Sequence, residues 1–220
     1  EQFDLYVEGK ISVPLSGTYF DAINPSDGEV YARIADANTM DMERAIQAAR
    51  LADEAHRGVP RKWSGRPYIE HCGRVANRVM LSEFVNDELV AAAWLHDVVE
   101  DRGADKGLTN HERYYGNQMW LRSNGMPRGV IIRVVNLTNE SMLHPELNRT
   151  ARKFMDIGAI CGASLECRFV KILDRIDNLG EMSETNKDAG FVRLYHRESL
   201  DLYHGLRSCP DSDRLRQYLD

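Results

Sequence analysis

The chain has no long apolar run. Its longest strongly hydrophobic stretch, Leu89 to Leu95, is far below the ~20 residues that span a bilayer. Its first residues also lack the basic and apolar regions of a secretory signal. Together these absences predict a cytoplasmic protein with no membrane partner. A basic excess is missing too: the formal net charge of -6 leaves no cationic footprint for DNA or RNA, although a local basic cluster still suits a phosphorylated small molecule. Cysteine is scarce, and Cys72, Cys161, Cys167 and Cys209 form no C-x-x-C pair. That argues against a disulfide framework and predicts reduced thiols. Neither an internal repeat nor a low-complexity segment occurs. What is present is ordinary globular composition, 43% apolar and 28% charged over 220 residues. This is enough for one core with a small appendage and one active site.

Two patterns divide the chain. Over residues 1–40, short apolar or alternating runs (Leu5-Tyr6-Val7, Ile11-Ser12-Val13, Tyr19 to Ile23, Val30 to Ile34) are punctuated by Gly9-Lys10, Ser16-Gly17 and Asn24 to Gly28. They predict small antiparallel strands, a β-hairpin appendage. Its edges would pair with a second copy, so a homodimer through the hairpin is an expected partner arrangement. From Asp41 the spacing turns helical, with Met42, Ile46, Ala49 and Ala52 on one stripe. Helices are predicted at about 41–57, 69–84, 87–101, 109–121, 127–137, 147–161, 165–179 and 188–206, making residues 41–220 a mainly α domain.

Three segments place ionisable residues in apolar helical surroundings. His96 and Asp97 follow the apolar run Ala91 to Leu95, where burying an imidazole and a carboxylate is costly unless a cation compensates. Glu100 and Asp101 each lie four residues beyond one of them, one helical turn on, and are expected to line the same cavity. Asp174 interrupts the run Phe169 to Leu173, with Asn178 one turn further on to orient a ligand. His71 precedes Val75 and Val79, the core face of its own helix. Two imidazoles and two carboxylates form a mixed nitrogen and oxygen set suited to one divalent Mn, Fe, Co or Zn ion. Room left for water points to catalysis.

The order H, then HD, then D resembles the HD superfamily of metal-dependent phosphohydrolases. It is most similar to the hydrolase domain of the Rel/Spo family, which removes the 3′-pyrophosphate of (p)ppGpp. The residues that carry the likeness are Ala55-His56, Arg61-Lys62, Pro67-Tyr68-Ile69-Glu70-His71, Val75-Ala76, Leu95 to Asp101 and Arg197 to Leu206, within about residues 42–207. The resemblance implies an HD-type helical bundle with His71, His96, Asp97 and Asp174 as metal ligands and manganese as the metal. It makes Glu100 and Asp101 the acids that position or deprotonate water, and Arg61, Lys62 and Asn178 the contacts to a nucleotide substrate. Residues 4–50 resemble a different family, the opening strands and first helix of aldehyde dehydrogenases. No cofactor or catalytic cysteine motif of that family follows.

Where the Rel/Spo pattern has A-D-R-L-H-N-x-R, this chain has Leu173-Asp174-Arg175-Ile176-Asp177-Asn178-Leu179-Gly180. An acid replaces a histidine and glycine replaces a basic residue, so the departures bear on substrate rather than metal. The residues therefore leave two alternatives open beside (p)ppGpp hydrolysis: another nucleotide or phosphoester as substrate, and a non-catalytic nucleotide-binding or dimerisation module. His56 fits the pattern but not the ligand set and is expected to pack against the loop before His71. Trp63 either stacks on a base or caps the core.

Overall fold

The computed structural model describes residues 2–3, 5–7, 10–12, 19–24, 27–35, 39–185 and 188–219. It is mainly helical, with small sheets confined to the amino-terminal part. Strands β1 (Gln2–Phe3), β4 (Tyr19–Ile23) and β5 (Val30–Ala35) form one sheet, and β2 (Leu5–Val7) and β3 (Lys10–Ser12) form a separate antiparallel pair. β4 and β5 are the expected hairpin, joined through a turn in which Gly28, at φ 75°, donates its N–H to the Asn24 carbonyl. One pairing departs from the antiparallel expectation, because β1 runs parallel to β5. The long connection between them permits this, whereas a tight hairpin does not. The turns expected at Gly9, Ser16-Gly17 and Pro25-Ser26 lie outside the described residues.

The helices follow the predicted order: α1 (Thr39–Ala55), α2 (Tyr68–Met80), α3 (Asp87–Leu95), α4 (Val98–Asp101), α5 (Asn110–Ser123), α6 (Arg128–Leu137), α7 (Arg149–Gly162), α8 (Leu165–Thr185), α9 (Ala189–Arg207) and α10 (Arg216–Leu219). Side-chain caps fix several starts. Asn86 accepts from Leu89 N–H before α3, Asn148 from Ala151 N–H before α7, and Thr109 forms a capping box with Glu112 at α5. Helix α3 has Leu89 to Ala93 and Leu95 all buried, because it is the axis of the bundle and packs on α1, α2 and α6. Its alanines let those neighbours approach closely. The fully buried Val75, Val79, Leu89, Leu95, Leu121, Phe169 and Ile172 form the surrounding core, each contributing roughly 1.5–3 kcal/mol by leaving water. Close approach also governs the α7–α9 contact, where a Cβ at Gly205 would lie 2.6 Å from Ile157.

Three boundaries differ from expectation. Helix α2 stops at Met80, α8 continues to Thr185, and the predicted helix 87–101 is interrupted after Leu95. The interruption has a local cause. His96 Nδ1 donates to the Ala93 carbonyl at 2.8 Å, the acceptor that an unbroken helix would give to the N–H of Asp97. Asp97 then flattens to φ -97°, ψ -5°, and its own carbonyl starts α4 by accepting from Glu100 and Asp101. The His-Asp pair therefore sits on a corner rather than inside a straight helix.

Candidate metal centre

Three elements meet at this corner. Helix α2 brings His71, the α3–α4 junction brings His96 and Asp97, and α8 brings Asp174. His71, His96 and Asp97 are close enough for one ion to be held by all three. The two Nε2 atoms are 3.2 Å apart, and Asp97 Oδ2 lies 3.0 Å from His96 Nε2 and 3.7 Å from His71 Nε2. Asp174 Oδ1 joins from the other side, 3.3 Å from His71 Nε2 and 3.7 Å from His96 Nε2. The separations of 3.0–3.3 Å are those of donors that share an ion, since nitrogen and oxygen ligands at ~2.0–2.2 Å stand about 3–3.6 Å from one another, whereas Asp174 approaches both imidazoles without joining the mutually close set of His71, His96 and Asp97.

The hydrogen-bonding roles of the rings explain why the cluster needs a cation. His96 Nδ1 donates to Ala93 O, and His71 Nδ1 donates to Asp177 Oδ2 at 2.7 Å. With both Nδ1 atoms protonated, the neutral rings turn bare Nε2 lone pairs toward each other and toward two carboxylates. In that neutral form the two lone pairs and two carboxylates face one another without a positive charge between them, so that either an added proton on Nε2 or a metal ion must supply it, and both histidines are fully or almost fully buried. Such a set is unstable without positive charge. Titration behaviour agrees: burial pulls His96 down, but Asp97 and Asp174 outweigh it and hold the imidazole well above its ordinary value. Burial likewise opposes the charge on Asp174, which hydrogen bonds from His71 and His96 and the nearby Lys171 hold well below the carboxylate range. The residues present fit a divalent ion of borderline or hard character.

The two expected catalytic acids part company. Burial pushes the Asp101 carboxyl up to about 7, helped by the negative charges of Asp97 and Glu100. Its side chain is 39% exposed, with Oδ2 4.0 Å from His56 Nδ1. Glu100 turns instead to Asn139, accepting from its backbone N–H at 2.6 Å and its Nδ2 at 3.1 Å. Its pKa is raised by burial and restrained by Lys171. The expected straight turn from His96 to Glu100 is thus corrected by the corner at Asp97, whereas Asp101 stands one turn beyond Asp97 as expected, its N–H bonded to the Asp97 carbonyl at 2.9 Å.

The expected substrate contacts also separate. Arg61 is buried, with Nε on Glu181 Oε2 at 2.7 Å, Nη2 on Asn178 Oδ1 at 2.5 Å and its plane over Tyr68. Asn178 donates through Nδ2 to Asp174 Oδ1 at 2.6 Å, which ties Arg61 to the ligand cluster. Lys62 is exposed and lies over the rings of Trp63 and Phe191. Trp63 packs against Phe191 at 5.1 Å. His56 is buried as expected, stacked on Tyr68 at 4.5 Å, with no hydrogen-bond partner on either ring nitrogen.

Several participants were not singled out from the sequence. The Tyr68 hydroxyl donates to Asp97 Oδ2 at 2.6 Å, Lys171 Nζ lies 3.9 Å from Asp174 Oδ2, and Asp177 and Glu181 anchor the basic side chains around the centre. A signal existed: Asp174, Asp177, Asn178 and Glu181 recur at three- and four-residue spacing along α8, one polar stripe on a buried helix.

Comparison with known proteins agrees with this architecture. The fold is that of a metazoan SpoT ortholog described as hydrolysing ppGpp and acting in starvation responses. The TM-score is 0.60 and identity 22%, covering 80% of this chain and 92% of that one. No protein-family model matches the chain. Among curated sequences, the aldehyde dehydrogenase tropH of Talaromyces stipitatus is 41% identical over 49 residues, 22% of this chain. An aldehyde dehydrogenase of Deinococcus radiodurans is 28% identical over 131 residues, 57% of this chain, an alignment longer than the 4–50 stretch. The chain spans only 10% and 24% of the lengths of these two relatives. No described helix is long and apolar enough to cross a membrane.

Proposed function

We propose that the chain is a metal-dependent phosphohydrolase of the HD type whose substrate is a small phosphorylated nucleotide, the 3′-pyrophosphate of (p)ppGpp being the bond cleaved. One observation carries the reading: both imidazoles turn their Nδ1–H groups outward, so that two Nε2 lone pairs and two carboxylates face one point. The likeness of the helical frame to a SpoT ortholog supports the choice of substrate.

His71, His96, Asp97 and Asp174 would hold the ion, manganese on this reading, with Fe, Co and Zn the alternatives the donor set admits. When bound, a divalent ion polarises a phosphoryl oxygen and acidifies attacking water towards ~7. Asp101, with a pKa of about 7, is matched to accept the water proton at neutral pH. Glu100, fixed by Asn139, adds the negative charge that helps keep Asp101 basic. Tyr68 holds Asp97 in orientation through its hydroxyl. Asn178 and Arg61 form one wall of the substrate site, and the exposed Lys62 offers a cation beside Trp63. The same reading takes residues 1–40 as an appendage, with dimerisation through its strands, and residues 41–220 as the hydrolase domain.

A second reading keeps the chemistry and changes the substrate to another nucleotide, a phosphodiester or a phosphotriester. It is favoured by the commitment of Arg61 to Glu181 and Asn178, and by Gly180 and Asp177 at positions where the Rel/Spo pattern has basic or imidazole groups. Mass spectrometry of products from ppGpp and a panel of nucleotides and phosphate esters separates the two, with Asp97→Ala as control. GDP and pyrophosphate from ppGpp, absent with the variant, uphold the first reading. Cleavage of another ester alone moves the conclusion to the second.

A further inference from the structure

On the far side of His71 from the ligand cluster lies Asp177, to which the proposed chemistry above assigns no step. Its two oxygens are divided between partners. Oδ1 accepts from Arg74 Nε at 2.8 Å and from Arg78 Nη1 at 3.0 Å, while Oδ2 accepts from Arg74 Nη2 at 2.9 Å and from His71 Nδ1 at 2.7 Å. The carboxylate is buried, at 3% side-chain exposure, whereas the arginines reach it from the surface at 35% and 39%. Two guanidinium groups keep the carboxylate ionised and fix its plane, and an ionised carboxylate can only accept. The imidazole nitrogen facing it must therefore carry the proton.

We infer that Asp177, locked by Arg74 and Arg78, is the positioning residue that fixes the tautomer of His71 and so makes its Nε2 a metal ligand. The inference rests on the metal-site reading and adds to it. Outer partners that orient a ligating imidazole and set which nitrogen is protonated influence metal affinity by about 10–100-fold. Asp177 occupies the position at which the Rel/Spo pattern carries histidine, so this chain orients its first ligand through a carboxylate of its own.

The substitution Asp177→Asn tests this because it is nearly isosteric and reverses the hydrogen-bond logic. The two bonds from Arg74 Nε and Arg78 Nη1 hold the amide oxygen at the Oδ1 position, which leaves the amide N–H group facing His71 Nδ1. Nδ1 must then accept, and the proton moves to Nε2, inside the ligand cluster. Mn(II) binding to chelator-stripped protein by titration calorimetry is expected to weaken about 10–100-fold. Arg74→Met removes one arginine but leaves the bond from His71 to Asp177 intact, so it should lower the melting temperature while keeping affinity within about threefold of wild type.

The second readout needs no variant: imidazole nitrogen NMR of the metal-free wild type, at a pH where the rings are neutral, should show the His71 proton on Nδ1. A proton on Nε2 in the wild type, or Mn(II) affinity in Asp177→Asn equal to wild type, overturns the inference and leaves the metal site standing. Wild-type protein that takes up no divalent ion overturns both.

Discussion

Behind the His71 ring, every negative charge has a positive partner: Asp177 meets two guanidinium groups and an imidazole N–H, and Glu181 meets Arg61 and approaches Arg74. In front of the same ring, two imidazole lone pairs and the carboxylates of Asp97 and Asp174 face one another with only Tyr68, Asn178 and the more distant Lys171 to offset them. The first arrangement is finished as folded. On the proposed reading the second is built for a cation. Since both lie within one side chain of each other and share α2 and α8, the difference reflects what each side is for, because burial and helix identity are nearly the same.

The largest expected effect comes from breaking the front. Asp97→Ala or Asp174→Ala should abolish tight metal binding and lower kcat/KM by roughly 10³-fold or more. Ion at about 100 times its Kd should stabilise the wild type by ~2.7 kcal/mol and leave these variants unmoved, as thermal melts with and without chelator would register.

Next is Asp101→Asn, for which kcat should fall roughly 10²–10⁴-fold with metal affinity retained. The wild-type rate should rise with pH as Asp101 loses its proton, at or below its metal-free value of about 7, since a bound cation draws a neighbouring carboxyl down. The variant should lose that limb of the profile.

A smaller effect is expected at His56, buried beside the front without a hydrogen-bond partner. Burial lowers its pKa from 6.5 to about 4, with the attraction of Asp97 only partly opposing. The unfolded chain takes up this proton first, so the stability linked to the neutral ring is complete above pH 6.5 and is lost as pH falls towards 4. The loss is about 3 kcal/mol. His56→Phe should flatten that part of the stability curve relative to wild type in denaturant titrations. Smallest is Arg78→Gln at the back: its side chain is 39% exposed and Arg74 still holds Asp177. Less than about 1 kcal/mol of stability should be lost.

Much of this was legible before any coordinates, for reasons that particular residues make plain. The helical stripes and the Gly and Pro breaks located eight segments because amphipathic spacing is a local property. His71, His96, Asp97 and Asp174 could be grouped because each is a costly polar residue in an apolar run. Asp177 could not, since its meaning depends on Arg74 and Arg78, about a hundred positions away in sequence and adjacent only after α2 packs on α8. Their spacing of three and seven residues after His71 was the available hint. The corner at Asp97 was hidden because it depends on a side chain taking a backbone acceptor, and Ser212 to Leu219, two short turns docked by Leu215 and Leu219, are too brief to display a period. The bonds of Arg61 to Glu181 and Asn178 were hidden because nothing local reveals partners more than a hundred positions away.

The measurement that bears most directly on the account is metal stoichiometry on chelator-stripped protein, by titration calorimetry with Mn(II) and elemental analysis, for the wild type beside Asp97→Ala and Asp174→Ala. The account predicts one ion per wild-type chain and none held tightly by either variant. Tight binding that survives in both variants, or no binding by the wild type, would contradict it.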